Sequence, residues 1–135
     1  MPYPQTLPER LAGALVGLAV AGAGVWVLVS PPLSYEGIGA MLTTAWGALL
    51  AAGGALTAGG WLLRSYKLEL PGVMFGLGGL AIYALLSWQQ TLGDSFGAGP
   101  RALLITAGTV IALLRFVRLA RTSRDARWLA EVRIE

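Results

Sequence analysis

Five arginines at strict three-residue intervals are the residues of this sequence whose type and spacing most suggest a chemistry. They are Arg115, Arg118, Arg121, Arg124 and Arg127. Such a series is used by voltage sensors, by proteins that bind nucleic-acid phosphates, and by helices that contact anionic lipid headgroups. Because a helix has 3.6 residues per turn, each step of three rotates by about −60°, so the five arginines sweep about 240°. They therefore do not share one helix face.

The residues around the arginines favour contact with lipid headgroups. A voltage sensor needs apolar spacers throughout and acidic partners on neighbouring helices. Here the later spacers are Thr122, Ser123 and Asp125, and the first three apolar segments contain no Asp or Glu. Glu131 and Glu135 dilute the positive charge, and no aromatic platform for bases accompanies it. We predict that the arginines set the topology and contact anionic headgroups, with no nucleic-acid partner.

The chain lacks the side chains on which most catalytic and metal sites depend. It has no cysteine and no histidine, which excludes a thiolate nucleophile, a Cys-ligated metal and an imidazole base. The glycines lie in apolar segments without the lysine of a phosphate-binding loop. We expect no enzymatic activity, no catalytic or metal-binding residue, and no cofactor.

The overall composition is that of a membrane protein. Of the 135 residues, 56% are hydrophobic and 13% are charged, about half the charged fraction of an average soluble domain. Too few polar side chains remain to cover the surface of a soluble domain of this size. The apolar segments are continuous rather than alternating, which favours helices over a β-barrel.

Four apolar segments predict an all-α fold of four transmembrane helices in a small bundle. We place a transmembrane domain at 1–120, with helices at about 8–30, 35–63, 70–90 and 100–120, and a basic tail at 121–135. The fourth segment has only 13 residues between Arg101 and Arg115, fewer than the roughly 20 that a span needs. It can span if both arginines extend toward opposite interfaces. A re-entrant or interfacial segment is the alternative.

Helix-starting residues agree with these boundaries. Thr6 and Glu9 have the spacing of a capping box. Pro71 and Pro100 each stand where a helix could begin. No A-x-A cleavage pattern follows the first segment, so we expect a retained helix rather than a signal peptide.

The basic residues fall on one side of this four-crossing arrangement. The N-terminal segment, the second connection and the tail contain 9 of the 10 basic residues, and Arg101 is the exception. Because cytoplasmic segments carry an excess of Lys and Arg, we predict that both termini are cytoplasmic.

Glycine supplies the second pattern with a functional meaning. Six of the 19 glycines are predicted helix-packing residues: Gly13, Gly17, Gly53, Gly54, Gly72 and Gly76. Small residues let helices approach closely where lipid gives no hydrophobic drive for association. The pattern suits packing within one chain and self-association between chains, and it leaves that choice open. A solute transporter is disfavoured, because no ionisable residue is predicted at mid-membrane depth.

The layout resembles a group of small phage proteins. Four short Gly- and Ala-rich crossings, the turn RSYKLELPG and the arginine-rich tail are similar to the holins and holin-like proteins of actinobacterial tailed phages. The resemblance implies a protein that accumulates in the bacterial inner membrane, self-associates, and opens lesions that release or activate a cell-wall hydrolase. It transfers no functional residue, because holins share a role rather than a residue signature.

Two hypotheses follow from the sequence. The first is a non-enzymatic holin-like permeabiliser whose partners are the lipid bilayer and further copies of itself. The alternative is an accessory or scaffold protein of a larger membrane complex, including a factor that blocks superinfection. Its membrane-protein partner would then be unknown.

Overall fold

Four helices account for most of the described chain, which comprises residues 6–31, 40–93 and 96–132 of the computed structural model. The helices are α1 (Leu7–Val29), α2 (Ala40–Leu63), α3 (Tyr66–Gly93) and α4 (Gly99–Val132). One turn of 3₁₀ helix, Phe96–Ala98, leads into α4. All four α-helices are long and apolar enough to cross a membrane. This confirms the predicted all-α fold with four candidate spans.

The start of α1 follows the prediction. Thr6 is the N-cap, and its backbone N–H donates to Glu9 Oε2 at 2.8 Å. This contact gives one of the helix's unpaired N-terminal donors a partner and places an acidic side chain in the first turn, where the helix dipole favours it. The predicted start of the second helix, at residue 35, lies outside the described residues.

The start of α3 differs from the prediction, since Pro71 lies inside this helix and does not begin it. The backbone N–H groups of Leu68 and Glu69 donate to Ser65 O at 3.2 and 3.1 Å, so the first turn forms before the proline. Only Arg64 and Ser65 connect α2 to α3. Glu69 therefore belongs to a helix, and not to a connection between helices.

The short connection is closed by a left-handed residue. Arg64 has a φ of 53°, and Ser65 N–H donates to Gly60 O at 2.9 Å. This 6→1 hydrogen bond, which spans the six residues from Gly60 to Ser65, is typical of a helix that ends through a left-handed residue, a position usually given to glycine. It reverses the chain within two residues, so α3 runs back along α2.

The helix α4 continues beyond the predicted boundary at residue 120. It runs unbroken to Val132, so residues 121–132 extend the fourth helix. The 17 residues from Phe116 to Val132 correspond to about 25 Å of helix. A re-entrant segment turns back on itself and therefore requires a break in the helix, whereas α4 is continuous from Gly99 to Val132.

The helices pack in chain order. The helix α1 lies along α2, α2 lies along α3, and α3 lies along α4, while the other pairs among the described residues make marginal contact at most. In the most apolar part of α3, 39% of the residues are buried, whereas in the most apolar part of α4 only 11% are buried. The bundle is therefore open on one side, between α1 and α4.

The half of the bundle away from Glu69 contains an aromatic core. The rings of Trp46 and Tyr83 stack with centroids 4.5 Å apart, joining α2 to α3. Trp46 packs with Val27 and Leu86 in the buried cluster. Such stacked pairs add about 0.5–1.5 kcal/mol to the effect of burial.

The α3–α4 contact contains a polar link, in which Trp88 Nε1 donates to Thr106 Oγ1 at 2.9 Å.

Candidate functional site

A buried ion pair joins α3 to α4. Glu69 is only 2% exposed, and Arg115 Nε and Nη2 donate to its Oε1 at 2.8 and 2.6 Å. The Arg115 guanidinium also lies over the Trp61 ring, 4.6 Å from the ring centroid. A buried carboxylate needs a partner of this kind, because its transfer out of water is otherwise very unfavourable. Three helices are thus connected through one arginine.

Local structure explains why these side chains meet. Glu69 stands in the first turn of α3, and Arg115 directly follows the apolar part of α4. Because α3 and α4 are consecutive helices that run in opposite directions, the start of one lies beside the far part of the other. This pair was not predicted from the sequence, because the predicted third helix begins at residue 70 and leaves Glu69 in a connection. Opposite charges that flank two consecutive apolar segments were the available signal.

An apolar groove of about 540 Å³ extends from the ion pair along the open side of the bundle. All four helices line it. Val16 and Val20 of α1 form one wall, and Gly108 and Ile111 of α4 form the opposite wall. Glycine-rich parts of α2 and α3 form the floor, and Trp61, Glu69 and Arg115 lie at one end.

Two of the predicted packing glycines allow α1 to touch α2. A Cβ atom at Gly17 would lie 2.6 Å from Ala58 N, and one at Gly54 would lie 2.8 Å from Ala21 Cα. Both neighbours are backbone atoms, which cannot move independently of their helix. Glycine is therefore required here for the close approach of the two backbones.

Similar contacts join α2 to α3. A Cβ atom at Gly72 would lie 2.5 Å from Thr57 N, and one at Gly53 would lie 2.8 Å from Gly76 Cα. At Gly13 the neighbour is a side chain, the Trp61 ring, whose Cε3 would lie 2.6 Å away. These three predicted packing residues also face another helix of the same chain.

Gly76 differs from the other five predicted packing glycines. Its backbone contacts the Gly53 position, but no atom lies within 4 Å of the place where its own Cβ would stand. Gly76 lines the groove, so a side chain there would extend into it. Gly76 therefore contacts α2 through its backbone, whereas a side chain at this position would not press against a neighbouring helix.

The five arginines of α4 divide into two kinds. Arg115 binds Glu69 and Trp61, so its main contacts lie inside the protein and differ from the predicted headgroup contact. The other four, Arg118, Arg121, Arg124 and Arg127, are exposed. They follow the ion pair on the helical extension of α4, where the sequence predicts headgroup contact.

Another arginine reaches the same end of the groove from α1. Arg10 Nη2 donates to Leu62 O at 2.6 Å, and its Nε donates to Trp61 O at 3.4 Å. These carbonyls belong to the last turn of α2, whose partial negative charge a guanidinium stabilises. Arg10 and Arg115 both contact Trp61, through its backbone carbonyl and its ring respectively. No pattern in the sequence predicts this role of Trp61.

The arrangement provides apolar volume next to positive charge. Most of the groove is lined by aliphatic side chains, such as those of Val16 and Leu80, and by glycine backbone. The one carboxylate that lines it is neutralised by Arg115. Across residues 6–31, 40–93 and 96–132, no three acidic side chains cluster as metal ligands. The geometry therefore suits the binding of an apolar group with an anionic end.

Comparisons with known proteins leave the function to be inferred from these features. No protein-family model matches the chain, and neither the curated proteins nor the solved structures include a significant match.

Proposed function

We propose that this chain is a non-enzymatic, holin-like protein that self-associates in the bacterial inner membrane and permeabilises it during lysis. The supporting observation is the open packing of α4. This helix packs mainly against α3, and many of its apolar side chains remain uncovered, with Leu104 at 75% and Ile111 at 67% exposed. A loosely packed span is suited to exchanging its neighbours when copies accumulate.

The forces available for such assembly are those between helices in lipid. Lipid tails are as apolar as leucine, so assembly must use close packing and polar contacts and not the hydrophobic effect. The helices α1, α2 and α3 already share backbone contacts at Gly17, Gly54 and Gly72. On α4, by contrast, Leu103, Leu104 and Leu114 remain exposed and do not line the groove. We therefore assign self-association to α4.

The accessory or scaffold function remains the second candidate, because the end of α4 offers a separate surface. The part of α4 beyond Leu119 is helical and carries exposed arginines at positions 121, 124 and 127. Such a basic helix is suited to an acidic partner as well as to lipid headgroups. An accessory protein would act without changing the permeability of the membrane.

Timed expression in a bacterium tests the holin-like function. We expect membrane potential, followed with a voltage-sensitive dye, to stay normal while the protein accumulates and then to collapse abruptly. A variant with bulk at a buried helix contact, Gly54→Leu, serves as the control at matched protein levels, because it should not fold. A normal membrane potential at every level of wild-type protein would reject permeabilisation and favour the accessory function.

The proposed orientation, with both ends cytoplasmic, can be tested by cysteine labelling because the chain has no native cysteine. Ser30→Cys and Thr122→Cys introduce single thiols at the end of α1 and on the extension of α4, both at exposed positions. A membrane-impermeant maleimide should label Ser30→Cys in intact cells and Thr122→Cys only after the cells are opened. The reverse pattern would place the arginines outside, against the positive-inside tendency.

A further inference from the structure

We propose that the groove between α1 and α4 binds one phospholipid with an anionic headgroup. The acyl chain lies along the groove, and the headgroup lies at the end where Glu69 and Arg115 meet. This site is independent of permeabilisation, because it requires only that the folded chain lies in a bilayer.

The volume and lining of the groove require an apolar occupant. Its volume of about 540 Å³ lies within the roughly 300–1,000 Å³ that ligand sites occupy. Water would need two to four polar partners, whereas the walls contain Val16, Val20 and Ile111. An unfilled space would deprive these side chains of dispersion contacts. A lipid chain satisfies both conditions.

The length of the groove selects a lipid chain over a helix of a second copy. On α3 the lining residues run from Glu69 to Leu80, which is about 16 Å along the helix axis. This is about half of the roughly 30 Å hydrocarbon core, and so it matches the chains of one leaflet. A transmembrane helix would need a groove of about twice that length.

The charge at the Glu69 end selects an anionic headgroup. Arg115 retains 29% exposure of its side chain, and Arg10 is fixed nearby by the carbonyls at the end of α2. Arg64 and Lys67 stand in the adjoining connection and first turn of α3. Glu69 offsets one of these four positive charges and Glu9, in the first turn of α1 beside Arg10, offsets a second, so the end of the groove keeps a net positive charge. Basic pockets between transmembrane helices are suited to anionic headgroups.

Filling the groove tests where the lipid binds. Gly76→Leu and Gly108→Leu place side chains where no atom lies within 4 Å, so both variants should fold while occupying the groove. Gly22→Leu and Gly59→Leu are matched controls, because their Cβ positions are equally open but do not line the groove. Folding of all four is checked by thermal unfolding.

The full chain is placed in nanodiscs of equal parts phosphatidylglycerol and phosphatidylcholine and released for native mass spectrometry. We expect wild type and both controls to retain one phosphatidylglycerol, and both groove-filled variants to retain about tenfold less, which corresponds to about 1.4 kcal/mol. Equal retention by folded wild type and folded groove-filled variants would mean a nonspecific lipid belt and would overturn the site.

The headgroup part of the proposal has its own measurement. Arg10→Gln removes one positive charge outside the ion pair, and should lower the preference for phosphatidylglycerol over phosphatidylcholine about fivefold, the equivalent of about 1 kcal/mol. Equal binding of the two lipids by wild type would overturn the assignment of an anionic headgroup. A lipid-free wild-type dimer whose association is lost in Gly76→Leu would assign the groove to a second copy instead.

Discussion

Gly54→Leu is expected to abolish the folded state, and Gly54→Ala is expected to lower the free energy of unfolding by about 1–3 kcal/mol. The reason is the direct backbone contact between α2 and α1, where a Cβ atom at this position would lie 2.8 Å from Ala21 Cα. Even a methyl group must separate the two helices. Separation removes the dispersion contacts on which helix association in lipid depends.

Gly59 provides the control for helix propensity. A Cβ atom at Gly59 meets nothing within 4 Å, so Gly59→Ala should gain up to about 1 kcal/mol from the better helix former. The free energy of unfolding is therefore expected to fall in Gly54→Ala and to rise in Gly59→Ala. Unfolding by SDS titration in mixed micelles, followed by circular dichroism, measures both. A Gly54→Ala variant as stable as Gly59→Ala would contradict the close α1–α2 contact.

These glycine contacts bear on the choice that the sequence left open. Gly17, Gly53, Gly54 and Gly72 all face another helix of the same chain. A GxxxG pattern indicates that some backbone approaches closely, but it carries no information on whether that backbone belongs to the same molecule. Packing within the chain accounts for these four, so the self-association that we propose uses other surfaces.

The helices themselves could be predicted because their signals are local. Continuous apolar segments identify spans by length and composition, and the Thr6 and Glu9 pair marks the start of α1 by their spacing alone. The predicted helix at 100–120 was shorter than α4, since polar residues after Arg121 were interpreted as a tail. A helix that leaves the apolar region can remain helical, and hydropathy does not register this continuation.

The functional site could not be predicted because it depends on how the helices rotate and pair. Glu69 was placed in a connection, since Pro71 suggested a helix start one turn too late. The open side between α1 and α4 depends on α4 packing mainly against α3, which hydropathy does not encode. That Gly76 faces the groove likewise depends on how α3 is rotated about its axis, which the sequence does not specify.

Arg115→Leu is expected to lower the free energy of unfolding by about 3–5 kcal/mol, because it leaves the Glu69 carboxylate buried without its partner. Glu69 is only 2% exposed, and both hydrogen bonds to its Oε1 come from Arg115. The variant also loses the contact with the Trp61 ring, which contributes about 0.5–2 kcal/mol. SDS titration in mixed micelles measures the change, with Arg118→Leu as the exposed control on the same helix. Equal unfolding of the Arg115→Leu variant and wild type would contradict the role of the pair.

The double variant Glu69→Leu and Arg115→Leu is expected to recover most of this stability, because replacing both charges with apolar side chains removes the burial penalty of each. Because the double variant is expected to be stable, the time at which it depolarises cells can separate a structural role of the ion pair from a functional one. If the pair only joins α3 to α4, the double variant should depolarise cells at the same time as wild type. If the pair controls when α4 separates from α3, the stable double variant should depolarise at a changed time. Because SDS titration and dye measurements are independent, a stable double variant with altered timing would assign the ion pair to the mechanism of permeabilisation and not to folding alone.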